Sequence, residues 1–196
     1  MSAHENLEHA EHVDHASHGG HKRIALLISV LALFLALSEM GGKGAQTHAV
    51  TSNVEANDLW AFFQAKTIRM TVLTTAAEQM QIESERATDP ELRDRLTKKI
   101  AEWKGNIARY DDDAKSNEGR KQLMARAHEA EHHRDQELAR YHNFEIASAA
   151  FQIGIVLASA EVITAMGALG WLSAMLGVVG LGFAVIGAWL PHIHIL

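Results

Sequence analysis

Two long apolar segments at the C-terminal end of the chain constrain its fold more than any other feature. Residues 146–166 and 171–190 are 21 and 20 residues long, and Glu161 is their only charged residue. About 20 apolar residues are needed for a helix to cross the roughly 30 Å hydrocarbon core of a bilayer. Only residues 167–170 separate the two segments, so the chain must reverse direction between them. We therefore predict two transmembrane helices that form an antiparallel hairpin.

A third apolar segment lies near the N-terminus, at residues 24–40. The run from Ile24 to Leu37 has 14 residues, and it reaches 17 with the three residues that follow. Lys22 and Arg23 precede the run, which is also the arrangement of a secretory signal peptide. No small-x-small cleavage site follows cleanly, so an uncleaved transmembrane helix is favoured over a cleaved signal.

The charged residues are concentrated between these apolar segments. Residues 41–145 contain 16 of the 18 lysines and arginines together with 18 acidic residues. This balance predicts one water-facing domain without a basic surface for nucleic acid. The chain has no cysteine, which excludes disulfides and thiolate chemistry.

The water-facing domain has the apolar spacing of helices throughout and no alternating strand pattern. Start and stop signals predict helices at about residues 54–87, 90–113 and 119–145, the second beginning at Asp89-Pro90-Glu91. No helix breaker separates the third helix from the apolar segment that begins at residue 146, so this helix should continue into the membrane. The sequence predicts an all-α membrane protein with three transmembrane helices and an extended helical stalk or coiled-coil bundle between them.

The side of the membrane on which this domain lies is indicated inconsistently by the positive charges. Lys22 and Arg23 favour a cytoplasmic N-terminus, whereas Arg126, Arg134 and Arg140 favour a cytoplasmic start of the second span. A chain with three spans cannot have both of these segments on the cytoplasmic side, because one span separates them. We favour a cytoplasmic domain, because three charges against none outweigh two against Lys43.

Small residues recur at helical spacing in both C-terminal spans, as in membrane helices that pack closely. This predicted packing seam comprises Ala147, Ala150, Gly154, Ala158, Glu161, Ala165, Gly170, Ala174, Gly177, Ala184 and Gly187. Glu161 is costly in hydrocarbon, so it must be neutral, paired or hydrated. One interpretation is a neutral carboxyl group that hydrogen-bonds across the hairpin or a carboxyl group that reaches toward the near membrane interface; the other is a proton or cation site in an oligomeric channel or transporter.

Histidines are abundant in the leader, residues 1–23, which we predict to be disordered. Five of them recur at every third position: His9, His12, His15, His18 and His21. Imidazole and neighbouring carboxylates suit a labile zinc, nickel or copper ion. The alternative is a polar leader without a metal-binding role.

His128-Glu129-Ala130-Glu131-His132 matches the H-E-x-x-H pattern of zinc proteases on a predicted helix. Such an enzyme also needs a third ligand and a substrate cleft, and the domain offers no strand and little core to form one. We therefore interpret the pattern as a solvated helix face and predict no enzymatic activity.

The densest aromatic cluster is formed by Trp60, Phe62 and Phe63. These side chains either anchor an interfacial helix in the headgroup layer or belong to the core of the helical domain. The sequence leaves both interpretations open.

The order of these features resembles a family of small bacterial membrane proteins known as domain of unknown function 4337. The resemblance is carried by the His-rich leader, Leu35-Ala36-Leu37-Ser38-Glu39, the block from Glu55 to Arg69, Gly119-Arg120-Lys121, and the block from Ala147 to Ile153. It implies a multi-pass protein of the bacterial inner membrane and brings no known catalytic residues.

The function that these features favour is a membrane-anchored helical scaffold or accessory subunit. Its expected partners are the lipid bilayer and either further copies of the chain or a larger membrane complex, because the apolar stripes of the predicted helices are thin. A metal-handling accessory using the leader and a small channel or transporter around Glu161 are the alternatives. The sequence leaves any small-molecule substrate unknown.

Overall fold

The described part of the chain is almost entirely helical. The computed structural model describes the backbone of residues 3–189 and the side chains of residues 22–189. The helices are α1 (Ala3–Arg86), α2 (Pro90–Asp111), α3 (Arg120–Thr164) and α4 (Gly167–Trp189), and residues 3–189 contain no strand. The predicted all-α class is confirmed. Three of the helices contain segments long and apolar enough to cross a membrane, by length and composition.

Helix α1 is longer than the sequence predicts. The pattern separates an apolar helix at residues 24–40 from a polar one beginning near residue 54, whereas α1 continues through both. Gly41 and Gly42 lie within it, although glycine costs a helix about 1 kcal/mol relative to alanine. Close packing explains this continuity: a Cβ atom at Gly41 would lie 2.8 Å from Cζ of Phe144, and Ala45 and Ala49 are buried.

Helix α2 begins and ends through local hydrogen bonds. The side chain of Asp89 accepts a hydrogen bond from the backbone N–H of Glu91, and Pro90 occupies the first helical position, where its missing N–H is not needed. Asp112 closes the helix by donating its backbone N–H to Ala108 O. The helix therefore ends at Asp111, two residues before the predicted end.

Helices α3 and α4 are joined by two residues, not by the four that the sequence predicts. Ala165 adopts a left-handed conformation with φ of 56° and donates its N–H to Glu161 O, which ends α3 at Thr164. Helix α4 already begins at Gly167. Ala165 is consequently an exposed turn residue, although its spacing placed it in the packing seam. Helix α3 itself is unbroken across residues 145 and 146, in line with the absence of a breaker.

The chain divides into two compact units. Unit 1 comprises Met1–Ala49 with Gln136–Leu196, and unit 2 comprises Val50–Asp135. Unit 2 is shorter at both ends than the predicted water-facing domain of residues 41–145.

The core of unit 1 forms where α1, α3 and α4 pack together. Phe151 is fully buried beside Leu31 and Ala147, and its ring stacks on Phe34 at 6.0 Å between centroids. Glycines make this approach possible: Cβ atoms at Gly154 and Gly177 would lie 3.2 and 2.8 Å from the two methyl carbons of Leu31. Small residues thus admit a branched side chain from α1 between the helices of the hairpin.

The core of unit 2 is formed mainly by α1 and α3. Ala56 and Leu59 of α1 pack against Leu123, Ala127 and Ala130 of α3. Helix α2 contributes the buried Ile100. Five of these six side chains are alanine or leucine, and three of them are alanine, so unit 2 has a thin core.

Candidate functional site

Two residues of the aromatic cluster pack against the hydrophobic core of unit 2. Trp60 and Phe63 are half-buried and pack against the cluster around Leu123, with their rings edge to face at 5.4 Å. Phe62 is 37% exposed. Of the two interpretations of these side chains, the geometry supports bundle core for Trp60 and Phe63.

Trp60 also makes a polar contact with α3. Its indole Nε1 donates a hydrogen bond to Glu131 Oε1 over 2.9 Å, and Nδ1 of His128 lies 3.0 Å from Oε2 of the same carboxylate. The ring of His128 meets the Trp60 ring edge to face at 5.3 Å. The hydrogen bond from Trp60, followed by that from His128, lowers the pKa of Glu131 below its usual value.

This arrangement gives the H-E-x-x-H segment a packing role. His128 and Glu131 are engaged with each other and with Trp60, and His132 lies beside His133 at 6.4 Å between ring centroids. Within residues 22–189, no group of three or more histidine, aspartate or glutamate side chains is arranged to hold a metal ion. A third ligand for this segment is therefore not found among the described residues.

Lys66 is a buried cation, and its burial is not predicted by the sequence. Its ammonium group lies 5.1 Å from the ring centre of Phe62 and 5.2 Å from that of Tyr110, and 3.8 Å from Oε2 of Glu118. The side chain is only 10% exposed. Two aromatic faces and one carboxylate thus compensate the desolvated charge. Lysine is usually a surface residue, so nothing in its sequence neighbourhood except the aromatic pair at 62 and 63 signals burial.

Arg120, in the Gly119-Arg120-Lys121 segment, is held in the same way. Its guanidinium lies 5.0 Å from the ring centre of Phe63 and 3.8 Å from Asp111. Its Nε atom is buried without a hydrogen-bond partner among the described residues. Two of the sequence blocks that carry the family resemblance therefore meet in unit 2, where cations pack on aromatic rings.

The predicted packing seam lies in unit 1. Ala147, Ala150, Gly154 and Ala158 of α3 are buried, as are Gly177 and Gly187 of α4, while Gly170, Ala174 and Ala184 are half-buried. Residues outside the predicted seam also take part in this packing. Gly180 contacts the Phe151 ring, and the buried Ser173 donates a hydrogen bond to Gly154 O over 2.7 Å.

Glu161 lies at the end of the hairpin nearest the turn. Its carboxyl group occupies the space that a side chain at Gly170 would need, and its Oε2 is buried without a hydrogen-bond partner among the described residues. It lines a pocket of about 690 Å³ together with Arg23 of α1 and Trp171 of α4. No lysine or arginine lies near Glu161 along the chain, and Arg23 is 138 positions away.

The metal-binding hypothesis for the leader lies outside the described residues. The side chains of His9, His12, His15, His18 and His21 all precede residue 22, where the described side chains begin. Metal binding by the leader and ion passage at Glu161 both stay predictions.

Comparison with known protein families gives one result. The model of a domain of unknown function, DUF4337, matches residues 20–190. The chain belongs to this family. The DUF4337 match covers all three apolar segments and the whole of unit 2, but only His21 of the five leader histidines.

No curated protein and no solved structure matches the chain. Membership in DUF4337 brings no assigned activity, so the function is inferred from the residues of this chain.

Proposed function

We propose that the chain is a membrane-anchored helical scaffold that assembles with further copies of itself. Unit 1 is the anchor and unit 2 carries the association surface. The observation that carries the proposal is a second apolar face on α1, which no part of the described chain covers.

Support for the anchor comes from the exposure of its apolar helices. Val156 and Ile163 of α3 are 66% and 85% exposed, and Val178 of α4 is 70% exposed. Most residues in the three apolar segments are likewise not buried inside the chain. In water such a surface would be an unusually large apolar patch, whereas hydrocarbon solvates it at no cost.

Support for self-association comes from two opposite stripes on α1 within unit 2. Ala56, Phe63, Met70, Ala77 and Ser84 recur every seventh residue and are buried or half-buried. A second set comprises Val54, Ala61, Ile68, Val72 and Ile82, all exposed; we call it the outer stripe. Residues two positions apart in a helix are about 200° apart around its axis, so the two sets lie on opposite faces.

The outer stripe follows part of a coiled-coil seam, in which Asp58, Thr75 and Gln79 occupy other positions. Val54, Ala61, Ile68 and Ile82 are separated by seven residues or a multiple of seven, and Val72 follows Ile68 by four. Ile68 is 64% exposed and Val72 is 60% exposed. The stripe extends over about 42 Å of helix. The same stripe on a second copy is the partner that a seven-residue repeat fits, since symmetric association pairs identical surfaces.

Disulfide cross-linking in native membranes tests this proposal cleanly because the chain has no cysteine. Ile68 is the midpoint of the outer stripe, so Ile68→Cys pairs with itself whether the helices are parallel or antiparallel. Thr74→Cys is the control, at an exposed position outside the stripe. We expect a cross-linked dimer for Ile68→Cys and none for Thr74→Cys. Equal cross-linking of both variants, or of neither, would contradict the proposal.

In this proposal the anchor lies in the bacterial inner membrane and unit 2 faces the cytoplasm. Arg126, Arg134 and Arg140 precede the apolar part of α3, and no lysine or arginine follows it. The exposed Thr74→Cys should resist a membrane-impermeant maleimide in intact cells and react after lysis. Labelling in intact cells would show that unit 2 faces the opposite side of the membrane. It would not affect the scaffold proposal.

A further inference from the structure

The pocket that contains Glu161 has features that the scaffold role does not use. It is an open depression of about 690 Å³ on the surface of unit 1, not an enclosed cavity. Arg23 and Leu27 of α1, Glu161 of α3, and Gly170, Trp171 and Ala174 of α4 line it. All of these residues belong to unit 1.

Opposite charges share this pocket without neutralising each other. Among the described residues, Arg23 forms no ion pair, and Oε2 of Glu161 has no hydrogen-bond partner although it is buried. The carboxyl group therefore has unmet hydrogen-bonding capacity, and its other oxygen, Oε1, is not among the buried atoms, so it can accept a hydrogen bond from a donor outside the chain. Gly170, in the first turn of α4, lies against the carboxyl group, where the helix dipole favours negative charge.

The pocket lies at one end of the three apolar segments. The apolar part of α1 begins after Arg23, α3 ends at Thr164 and α4 begins at Gly167. In a chain that inserts as proposed above, this end is at the depth of the lipid headgroups. Trp171, 78% exposed beside the pocket, has the position of an interfacial tryptophan.

We propose that this pocket binds the phosphoethanolamine headgroup of a phospholipid. The guanidinium of Arg23 pairs with the phosphate, as arginine does in many phosphate sites. The ammonium group donates hydrogen bonds to the Glu161 carboxylate, and the first acyl carbons lie along Leu27 and Ala174. One zwitterionic headgroup thus satisfies both charges of the pocket.

Related headgroups can interact with only one of the two charged residues of the pocket. A choline headgroup has the same charges, but its trimethylammonium has no N–H to donate to Glu161. A glycerol headgroup supplies the phosphate for Arg23 and no cation for Glu161. The geometry therefore predicts a preference for phosphoethanolamine over both.

Binding of short-chain lipids to the full chain in detergent tests this proposal. The probes are dihexanoyl phospholipids with ethanolamine, choline or glycerol headgroups, and tryptophan fluorescence or native mass spectrometry follows binding. We expect the ethanolamine lipid to bind at least about tenfold more tightly than the other two, the factor that one charge-assisted hydrogen bond supplies. Equal binding of the three lipids would overturn the proposal.

Variants assign the preference to the two charged residues. Glu161→Gln should bind the ethanolamine and choline lipids equally, whereas Arg23→Gln should weaken all three lipids. Lys22→Gln, which removes a neighbouring charge that does not line the pocket, should leave the preference unchanged. Circular dichroism and thermal unfolding establish whether each variant folds. If Glu161→Gln does not fold, Arg23→Gln still tests the proposal, because Arg23 is exposed. Unchanged lipid binding by Arg23→Gln would exclude the pocket as the binding site.

The source of the headgroup is tested with free phosphoethanolamine. We expect it to bind at least about tenfold more weakly than the lipid, because it lacks the acyl carbons that contact Leu27 and Ala174. Tighter or equal binding of the free compound would exclude a lipid as the ligand. The inference rests on the proposed membrane insertion, but its measurement in detergent is independent of self-association through the outer stripe.

Discussion

The ring of Phe151 lies directly against the backbone of Gly180, so α3 and α4 approach too closely at this point to admit a side chain between them. A Cβ atom at Gly180 would lie 2.8 Å from Cε1 and 2.9 Å from Cζ of that ring. Phe151 is itself fully buried and stacked on Phe34, so its ring has no free space into which to move. Glycine at position 180 is therefore a requirement of the packing in unit 1.

Gly180→Ala should destabilise the chain by about 1–3 kcal/mol, the usual cost of an extra carbon in a packed core. Gly182→Ala is the matched control, because a Cβ atom there meets nothing within 4 Å. Alanine at that position should even improve helix propensity. Thermal unfolding in detergent, followed by circular dichroism, measures both. Equal stability of the two variants would contradict the packing described for Phe151.

Lys66 and Tyr110 should be energetically coupled. The ammonium group of Lys66 lies 5.2 Å from the Tyr110 ring centre in a nearly buried setting. A double-mutant cycle with Lys66→Met and Tyr110→Leu should give a coupling energy of about 1–2 kcal/mol, as expected for a desolvated cation on an aromatic ring.

The pair Lys99 and Trp103 is the control for this cycle. It has a similar geometry, at 5.8 Å, but the Lys99 side chain is 45% exposed. Solvent should reduce its coupling to about 0.5 kcal/mol or less. Coupling energies of the same size in both cycles would show that the burial of Lys66 has no energetic consequence.

The stability of unit 2 should fall in acid through Glu131. The hydrogen bonds from Trp60 and His128 lower its pKa in the folded state below the usual 4.5. The ionised carboxylate therefore stabilises the fold above pH 4.5, and this contribution is lost as the pH falls toward the lower folded-state value. Helix content followed between pH 7 and pH 3 should fall less steeply in Glu131→Gln than in the wild type.

Glu129→Gln is the control for this pH dependence, since Glu129 is an exposed carboxylate on the same helix two residues away. Its acid profile should follow the wild type. If the acid profile of Glu131→Gln coincides with that of the wild type, the contact with Trp60 does not contribute to the pH dependence of stability.

Ser173→Ala should weaken the hairpin. Ser173 is fully buried, and its hydroxyl donates to Gly154 O on the neighbouring helix. Hydrogen bonds between membrane helices contribute about 0.6–1.7 kcal/mol. Ser159→Ala, which removes an exposed hydroxyl that bonds only Ile155 O of its own helix, should change stability little. The difference between the unfolding temperatures of the two variants measures the contribution of the hydrogen bond from Ser173 to Gly154 O.

Local signals in the sequence predicted the helical class and several helix ends. The Asp89-Pro90-Glu91 start of α2 and the unbroken course of α3 depend on caps and breakers, which act over a few residues. The continuity of α1 was missed because Gly41 and Gly42 weaken a helix locally. Their contact with Phe144, about 100 positions away along the chain, outweighs that local preference.

The polar contacts were the least predictable part of the candidate sites. The sequence around Lys66 does not indicate its partners, and only the folded chain brings Tyr110 and Glu118 to its ammonium group. Arg23 and Glu161 similarly share a pocket only after α1 has packed on the hairpin. Periodicity identifies which residues are apolar on one face, but it does not determine which two faces meet.

The mass of the full chain in a mild detergent tests the scaffold proposal most directly. One chain has a mass of 21.5 kDa. Self-association through the outer stripe predicts a protein mass of two or more chains for the wild type, and of one chain for Ile68→Glu with its helix content unchanged. A wild-type protein that has the mass of one chain would contradict the proposal.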